Sequence, residues 1–261
     1  MHRASLHGAI MFKPVAVIPV YNHPQTVAAV VEQVLAQQLP CILVNDGSDA
    51  VCTQVLRALV KQWPQQITLV EHEVNQGKGA AVSTGLRTAY AAGYTHALQV
   101  DADGQHQLSD IPRFLAIAQA HPEAIVCGYP IYDETVPKGR LYGRYLTHIW
   151  VWINTLSLRI KDAMCGFRVY PLSRMSALLN GQTRSLRMGW DVEILVRADW
   201  MGIPIINTAT CVHYPEGGVS HFQGVRDNVL ISRMHAGLFF GMLLRSPRLA
   251  LRWLTDKPHY E

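Results

Sequence analysis

Charged residues are scarce in this chain, 16% of 261, and the formal net charge is only +4. A disordered chain would hold fewer apolar residues than the 49% present, and a nucleic-acid partner is not demanded by so small a total. Cysteine is sparse too. Cys41, Cys52, Cys127, Cys165 and Cys211 are odd in number and never spaced Cys-x-x-Cys, so neither a zinc site nor a disulfide framework is signalled. Reduced cytosolic thiols are the expectation. The longest apolar run near the C-terminus, 236–244, is well short of the ~20 residues a spanning helix needs. No signal-peptide pattern opens the chain either, so no integral membrane segment is expected.

Two nucleotide-binding signatures are also missing. No Gly-x-Gly-x-x-Gly follows the first apolar run, which argues against a nicotinamide or flavin fold. Gly77-Lys78-Gly79 lacks the Walker spacing, leaving it as a phosphate loop of another kind or a plain turn before a helix.

What the chain does have is alternation. Pro14–Val20, Cys41–Val44, Ile67–Val70 and His96–Val100 are short apolar runs of strand type. Between and after them, 25–38, 50–62, 80–92 and 108–120 carry apolar residues at helical spacing. Four such alternations predict a mostly parallel sheet with crossover helices. Ligands of such sheets sit beyond the carboxyl ends of the strands, and Tyr21, Asp46, Gly77 and Asp101 all fall at that edge. The second half is less regular: strands are expected at 124–127 and 204–208, a helix from Gly189 to Met201, and a Tyr/Arg/Trp-rich stretch over 129–158.

Asp101-Ala102-Asp103 at a strand end is the sharpest chemical feature. Two carboxylates so close repel unless a cation compensates them, and Mg²⁺ or Mn²⁺ would do so while bridging a substrate diphosphate; a solvated acidic turn is the plain alternative. Asp46 either caps the next helix or accepts hydrogen bonds from a nucleobase. Asp191, at a helix start, either gains from the helix dipole or takes a proton from an acceptor hydroxyl.

The segments Ile18-Pro-Val-Tyr-Asn22, Asn45-Asp-Gly-Ser48, Asn75-Gln-Gly-Lys-Gly79, Asp101-Ala-Asp-Gly-Gln105, Asp162-Ala-Met-Cys-Gly-Phe-Arg168 and Gly189-Trp-Asp-Val-Glu193 stand in one order over residues 14–220. In that order they resemble the family 2 glycosyltransferases of the nucleotide-diphospho-sugar (GT-A, Rossmann-like) fold, particularly the dolichyl- and polyprenyl-phosphate sugar synthases. The ending, with Ser220-His-Phe222, Asp227-Asn228 and Met234-His235, resembles glycosyltransferases of bacterial lipid or aryl-polyene pathways. The resemblance implies an α/β GT-A sheet flanked by helices, and inverting transfer of a sugar from a UDP or GDP donor to a lipid-linked acceptor, a polyprenyl phosphate or a glycolipid hydroxyl.

It also implies roles. Pro19, Tyr21, Asn22, Asp46, Lys78 and Asp101 would bind the donor. Asp101, Asp103 and Gln105 would hold Mg²⁺ or Mn²⁺. Arg140, Arg144, Asp162 and Arg168 would line the acceptor side, and Asp191 with Asp103 would be catalytic. His23 and Asn45 stand where the family has acidic residues. A sugar-phosphate nucleotidyltransferase would want a Gly-rich, Arg-bearing loop after the first strand, where this chain has Pro-Val-Tyr-Asn. A non-catalytic nucleotide-sugar-binding protein would bind donor and metal without turnover.

The expected organisation is an N-terminal extension over 1–13, the catalytic domain over 14–225 and a basic amphipathic helical tail over 226–261. Arg226, Arg233, Arg245, Arg248 and Arg252 lie in that tail among apolar residues. This pattern suits either core packing or an in-plane helix on an anionic lipid surface, and the second is the expectation. The protein is therefore expected to be cytoplasmic and peripheral at the inner face of the membrane.

Overall fold

The computed structural model describes residues 11–131, 138–181, 183, 185–212 and 224–255. Its centre is a seven-stranded sheet in the order β3-β2-β1-β4-β6-β5-β7. The strands are β1 (Pro14–Val20), β2 (Cys41–Asp46), β3 (Ile67–His72), β4 (His96–Gln99), β5 (Ile125–Ile131), β6 (Arg168–Pro171) and β7 (Ile205–Cys211). The first four pair in parallel, as the alternation predicts, and β7 lies parallel to β5. β6 is the exception: it runs antiparallel to both β4 and β5, wedged between them.

Covering helices explain the unbroken apolar runs. Residues of β1 alternate between two cores: Val15 and Val17 pack with Ala81, Val82 and Trp190 on one face, while Ala16, Ile18 and Val20 pack with Val27, Val31 and Phe114 on the other. The first core is closed by α3 (Lys78–Ala91), α6 (Leu172–Asn180) and α7 (Trp190–Trp200); the second by α1 (Val27–Ala36), α2 (Ala50–Gln62) and α4 (Ile111–Ala120). Two more helices, α5 (Lys138–Thr155) and α8 (Gly224–Thr255), pack on each other and on α7.

Several expectations are corrected. The strand expected over 124–127 continues to Ile131 and the one over 204–208 to Cys211, because the two pair through seven registered positions. β6, α5 and α6 have no counterpart in the sequence reading. β6 is only four residues long and all four are buried, so it shows no alternation. The tail is a single 32-residue helix carrying Pro247. Pro247 has no N–H to give the Leu243 carbonyl, and the Ser246 hydroxyl donates to it instead (2.9 Å). Met234 and Leu238 of this helix belong to the first core, while Phe240, Leu244 and Leu251 are exposed. The loop at 214–220 lies outside the described residues.

Candidate active site

The carboxyl ends of β1 to β4 bring four loops to one edge of the sheet, and side-chain hydrogen bonds stitch them together. Asn22 adopts a left-handed φ of 55°, donates its N–H to Ser48 Oγ (3.1 Å) and accepts from the Asp49 N–H (2.8 Å). Thr26 Oγ1 donates to the Ala102 carbonyl (2.6 Å), tying the first loop to the fourth. Pro19 is buried within β1 beside Val44, and Tyr21 is half-buried at the mouth.

Asp46 neither caps α2 nor stands free. The cap is Asp49, which accepts from the Cys52 N–H (2.8 Å). Both Asp46 oxygens are taken by the protein: Oδ1 faces His72 Nδ1 (2.8 Å) and accepts from the Gln76 N–H (2.9 Å), and Oδ2 accepts from the Gly77 N–H (2.8 Å) and Asn75 Nδ2 (3.0 Å). So placed, Asp46 shapes the loop that leads into α3. Gly47 must be glycine here, with φ at +67° and a Cβ that would lie 2.4 Å from the Asn75 nitrogen.

That loop delivers Lys78 at the first position of α3. Its Nζ lies 2.8 Å from Asp101 Oδ2 and 3.1 Å from Asp191 Oδ2, bridging a strand end to the start of α7. Burial alone would lower the lysine, but the two carboxylates outweigh it and hold it above its ordinary value. Burial would likewise raise Asp101, yet Lys78 and His106 hold it well below the usual carboxylate range. His106 Nε2 is 3.5 Å from Asp101 Oδ2, and Gly166 leans so close that a Cβ there would lie 2.5 Å from the same oxygen.

Asp103 is half-buried and accepts the Gln105 N–H (3.0 Å), with Gln105 half-buried beside it. No cluster of three or more His, Cys, Asp or Glu side chains among the described residues is placed to hold a metal ion. The donor set nevertheless fits a hard cation that takes most of its oxygens from diphosphate and water: Asp101 Oδ1 is buried with no hydrogen-bond partner, and Asp103 follows two residues on.

Beneath this cluster runs a buried polar chain. Tyr170 OH donates to Gln99 Oε1 (3.0 Å), and Gln99 Nε2 donates to Asp191 Oδ1 (3.2 Å). Arg168 Nη1 donates to the Asp191 carbonyl (2.7 Å) and lies 3.9 Å from its Oδ1. Arg168 is 0% exposed in β6, which corrects the expectation that it touches an acceptor: it supports Asp191 from below.

Asp162 is also withdrawn from solvent, at 2% exposed. Arg144 grips it with Nε on Oδ2 and Nη2 on Oδ1 (2.7 Å), His148 Nε2 stands 3.2 Å away, and the Met164 and Cys165 N–H groups donate to Oδ1. Burial would raise this carboxyl, but His148 and Arg144 hold it far below its ordinary range. Arg140 is on α5, and its side chain lies outside the described residues.

The sequence reading missed Gln99, Tyr170 and His148 as parts of the site and did not assign His106 a role; Gly166, expected on the acceptor side with its segment, lies instead against the Asp101 carboxylate. Only His106 carried a usable signal, three residues past Asp103.

The family model for glycosyl transferase family 2 matches residues 15–175. The chain is 31% identical over 178 residues to a dolichyl-phosphate beta-glucosyltransferase of Dictyostelium discoideum, an overlap of 64% of this chain and 53% of the relative. It thus spans about half of that relative's length. It is 23% identical over 225 residues to the polyprenol monophosphomannose synthase of Mycolicibacterium smegmatis, covering 81% of this chain and 82% of the relative. Among solved structures, glucosyl-3-phosphoglycerate synthase from Mycobacterium tuberculosis, in complex with Mn²⁺, uridine-diphosphate-glucose and phosphoglyceric acid, superposes with a TM-score of 0.62 at 13% identity, over 89% of this chain and 80% of that one.

Proposed function

The chain belongs to glycosyl transferase family 2 and has the GT-A fold, and from that membership we propose that it moves a sugar, with inversion, from a nucleoside diphosphate to a lipid-linked acceptor. The observation that carries this reading is the Lys78 bridge between Asp101 and Asp191, which puts one cation and two anions where the four strand-end loops converge. Named activities of the relatives, a dolichyl-phosphate glucosyltransferase and a polyprenol monophosphomannose synthase, support a polyprenyl-phosphate type of acceptor.

Asp101, Asp103 and Gln105 would hold Mg²⁺ or Mn²⁺, which when bound supplies positive charge to the leaving diphosphate. Lys78 adds a second positive charge on the same side. Tyr21 and Asn22 line the donor mouth, with Pro19 behind them and Asp46 setting the loop that presents Lys78. Asp191, held by Gln99 and Lys78, is the carboxylate able to take a proton from a hydroxyl acceptor; a phosphate acceptor needs none removed. Arg140 remains the candidate cation for an acceptor phosphate, with Arg144 and Asp162 fixing the segment beside it.

The lipid would be reached from a membrane surface. No helix among the described residues is long and apolar enough to cross a bilayer. Instead Arg226, Arg233, Phe240, Leu244 and Leu251 recur at seven- and four-residue spacing along one side of α8, and each is exposed.

The test is transfer from labelled UDP- and GDP-sugars, with Mg²⁺ or Mn²⁺, to a mixture of short polyprenyl phosphates and glycolipids. Label in the organic phase is expected with at least one donor. Label released only as free sugar, or metal-dependent donor binding without any turnover, would leave a hydrolase or a binding protein instead.

A further inference from the structure

At the far end of α7 from Asp191 lies a cavity of about 500 Å³ between α6, α7 and α8. Ten residues of helix separate Asp191 from Met201 in its wall, roughly 15 Å at the α-helical rise. Three arginines line it, Arg197 from α7 and Arg245 and Arg248 from α8, together with the apolar residues Trp200, Met201 and Leu238.

Of these arginines, only Arg197 has a carboxylate partner among the described residues. Glu193 pairs with Arg197 (2.7 Å) and also accepts the Ser185 N–H (2.7 Å), while Asp199 faces Arg252. Arg197 Nε is buried with no hydrogen-bond partner. Arg245 stacks over the Trp200 ring, 4.7 Å from its centroid, and donates to the Gly241 carbonyl (2.9 Å). Neither Arg245 nor Arg248 has a carboxylate partner among the described residues. Gly241 keeps α8 close to this wall, since a Cβ there would lie 2.7 Å from the Trp200 ring.

Several arginines lining one hollow, one of them stacked on an aromatic ring, suit recognition of a tetrahedral oxyanion. We propose that this cavity is a second binding site, apart from the sugar-nucleotide edge, for a phosphate group carrying an apolar substituent. The arginines take the phosphate oxygens, and Trp200, Met201 and Leu238 take the substituent. Exposed Leu244 stands one helical turn from Arg248, so a longer chain leaving the cavity meets apolar surface. This assignment does not depend on which sugar or acceptor the enzyme uses.

Calorimetry of the full chain with saturating UDP and GDP plus Mg²⁺ blocks the donor edge. The probes are inorganic phosphate, glycerol 3-phosphate and dihexanoyl phosphatidic acid. At least one should still bind, and Arg245→Ala/Arg248→Ala and Arg248→Glu should each weaken it about tenfold or more with nucleotide affinity unchanged. Arg248→Glu, on an exposed position, keeps the test valid if the double variant folds poorly. Binding of all three probes identifies a free phosphate ligand; binding of the phosphatidic acid alone identifies a lipid headgroup. Loss of all probe binding in the presence of nucleotide, unaltered binding by the variants, or no binding to wild type overturns the proposal.

Discussion

Lys78 is one side chain serving two anions, and removing it leaves Asp101 and Asp191 without the cation they share. Lys78→Met should therefore lower transfer by roughly 10²-fold, the scale of losing one preorganised positive donor, and unchanged kcat and KM would take Lys78 out of the donor site. Gly166→Ala should be nearly as damaging for a steric reason, because its Cβ would displace the Asp101 carboxylate. Its metal-dependent donor binding in calorimetry should fall while the far-ultraviolet spectrum stays native. Arg144 calls for a different reading from the one its motif position invites. Since it grips buried Asp162, Arg144→Ala should cost about 1.5–3 kcal/mol in denaturant unfolding, so an activity loss there reports on the acceptor segment's order. The carboxylates of the site were legible in sequence because each sits in a short, ordered motif. Gln99 and Tyr170 were not, for their roles come from β6 lying beside β4, a pairing between residues about seventy positions apart that no local pattern encodes.

Among the elements, α3 packs directly on β1 and β2. A Cβ at Gly85 would sit 2.3 Å from Val17 Cγ1 and 3.2 Å from Val44 Cγ2. Gly85→Ala gains about 1 kcal/mol of helix propensity, but overpacking a rigid sheet costs about 1–3 kcal/mol, so net destabilisation is expected in chemical denaturation. At α8, exposed Phe240 and Leu244 make the opposite case. Phe240→Ser/Leu244→Ser should leave the melting temperature within a degree or two, as expected for exposed positions. The same change should reduce co-sedimentation with vesicles containing phosphatidylglycerol; equal sedimentation would count against membrane contact by this stripe. The first four strands and helices were readable because each apolar run fits one period. Of the later helices, α7 and the tail helix were expected, but α5 and α6 were not: α5 mixes Trp, Tyr and Arg and leaves Leu146 and Ile149 exposed, blurring the stripe that marks a buried face.

For the molecule as a whole, buried titratable groups set how stability responds to acid. Burial lowers His235 from 6.5 to about 4, so the unfolded chain binds its proton first and stability falls as the pH drops from 6.5 toward 4. Asp101 and Asp162 are held below 3.8, so the stability they contribute is present above that value and is lost as the pH falls further. Thermal unfolding from pH 7 to 3 should therefore decline in two stages. His235→Gln should flatten the first and Asp162→Asn the second, and a single acid limb insensitive to both would contradict the assignment. The inserted strand β6 has a consequence for biosynthesis. Strand β4 leaves the ribosome with one edge bare, and its partner there is not β5 but a segment made roughly seventy residues later, a wait of several seconds at ~5–20 residues per second. During that interval an unpaired, apolar sheet edge is available to any other extended chain. A nascent chain halted before Arg168 should thus be captured by chaperones or aggregate, whereas one released past Cys211 has all seven strands of the described sheet.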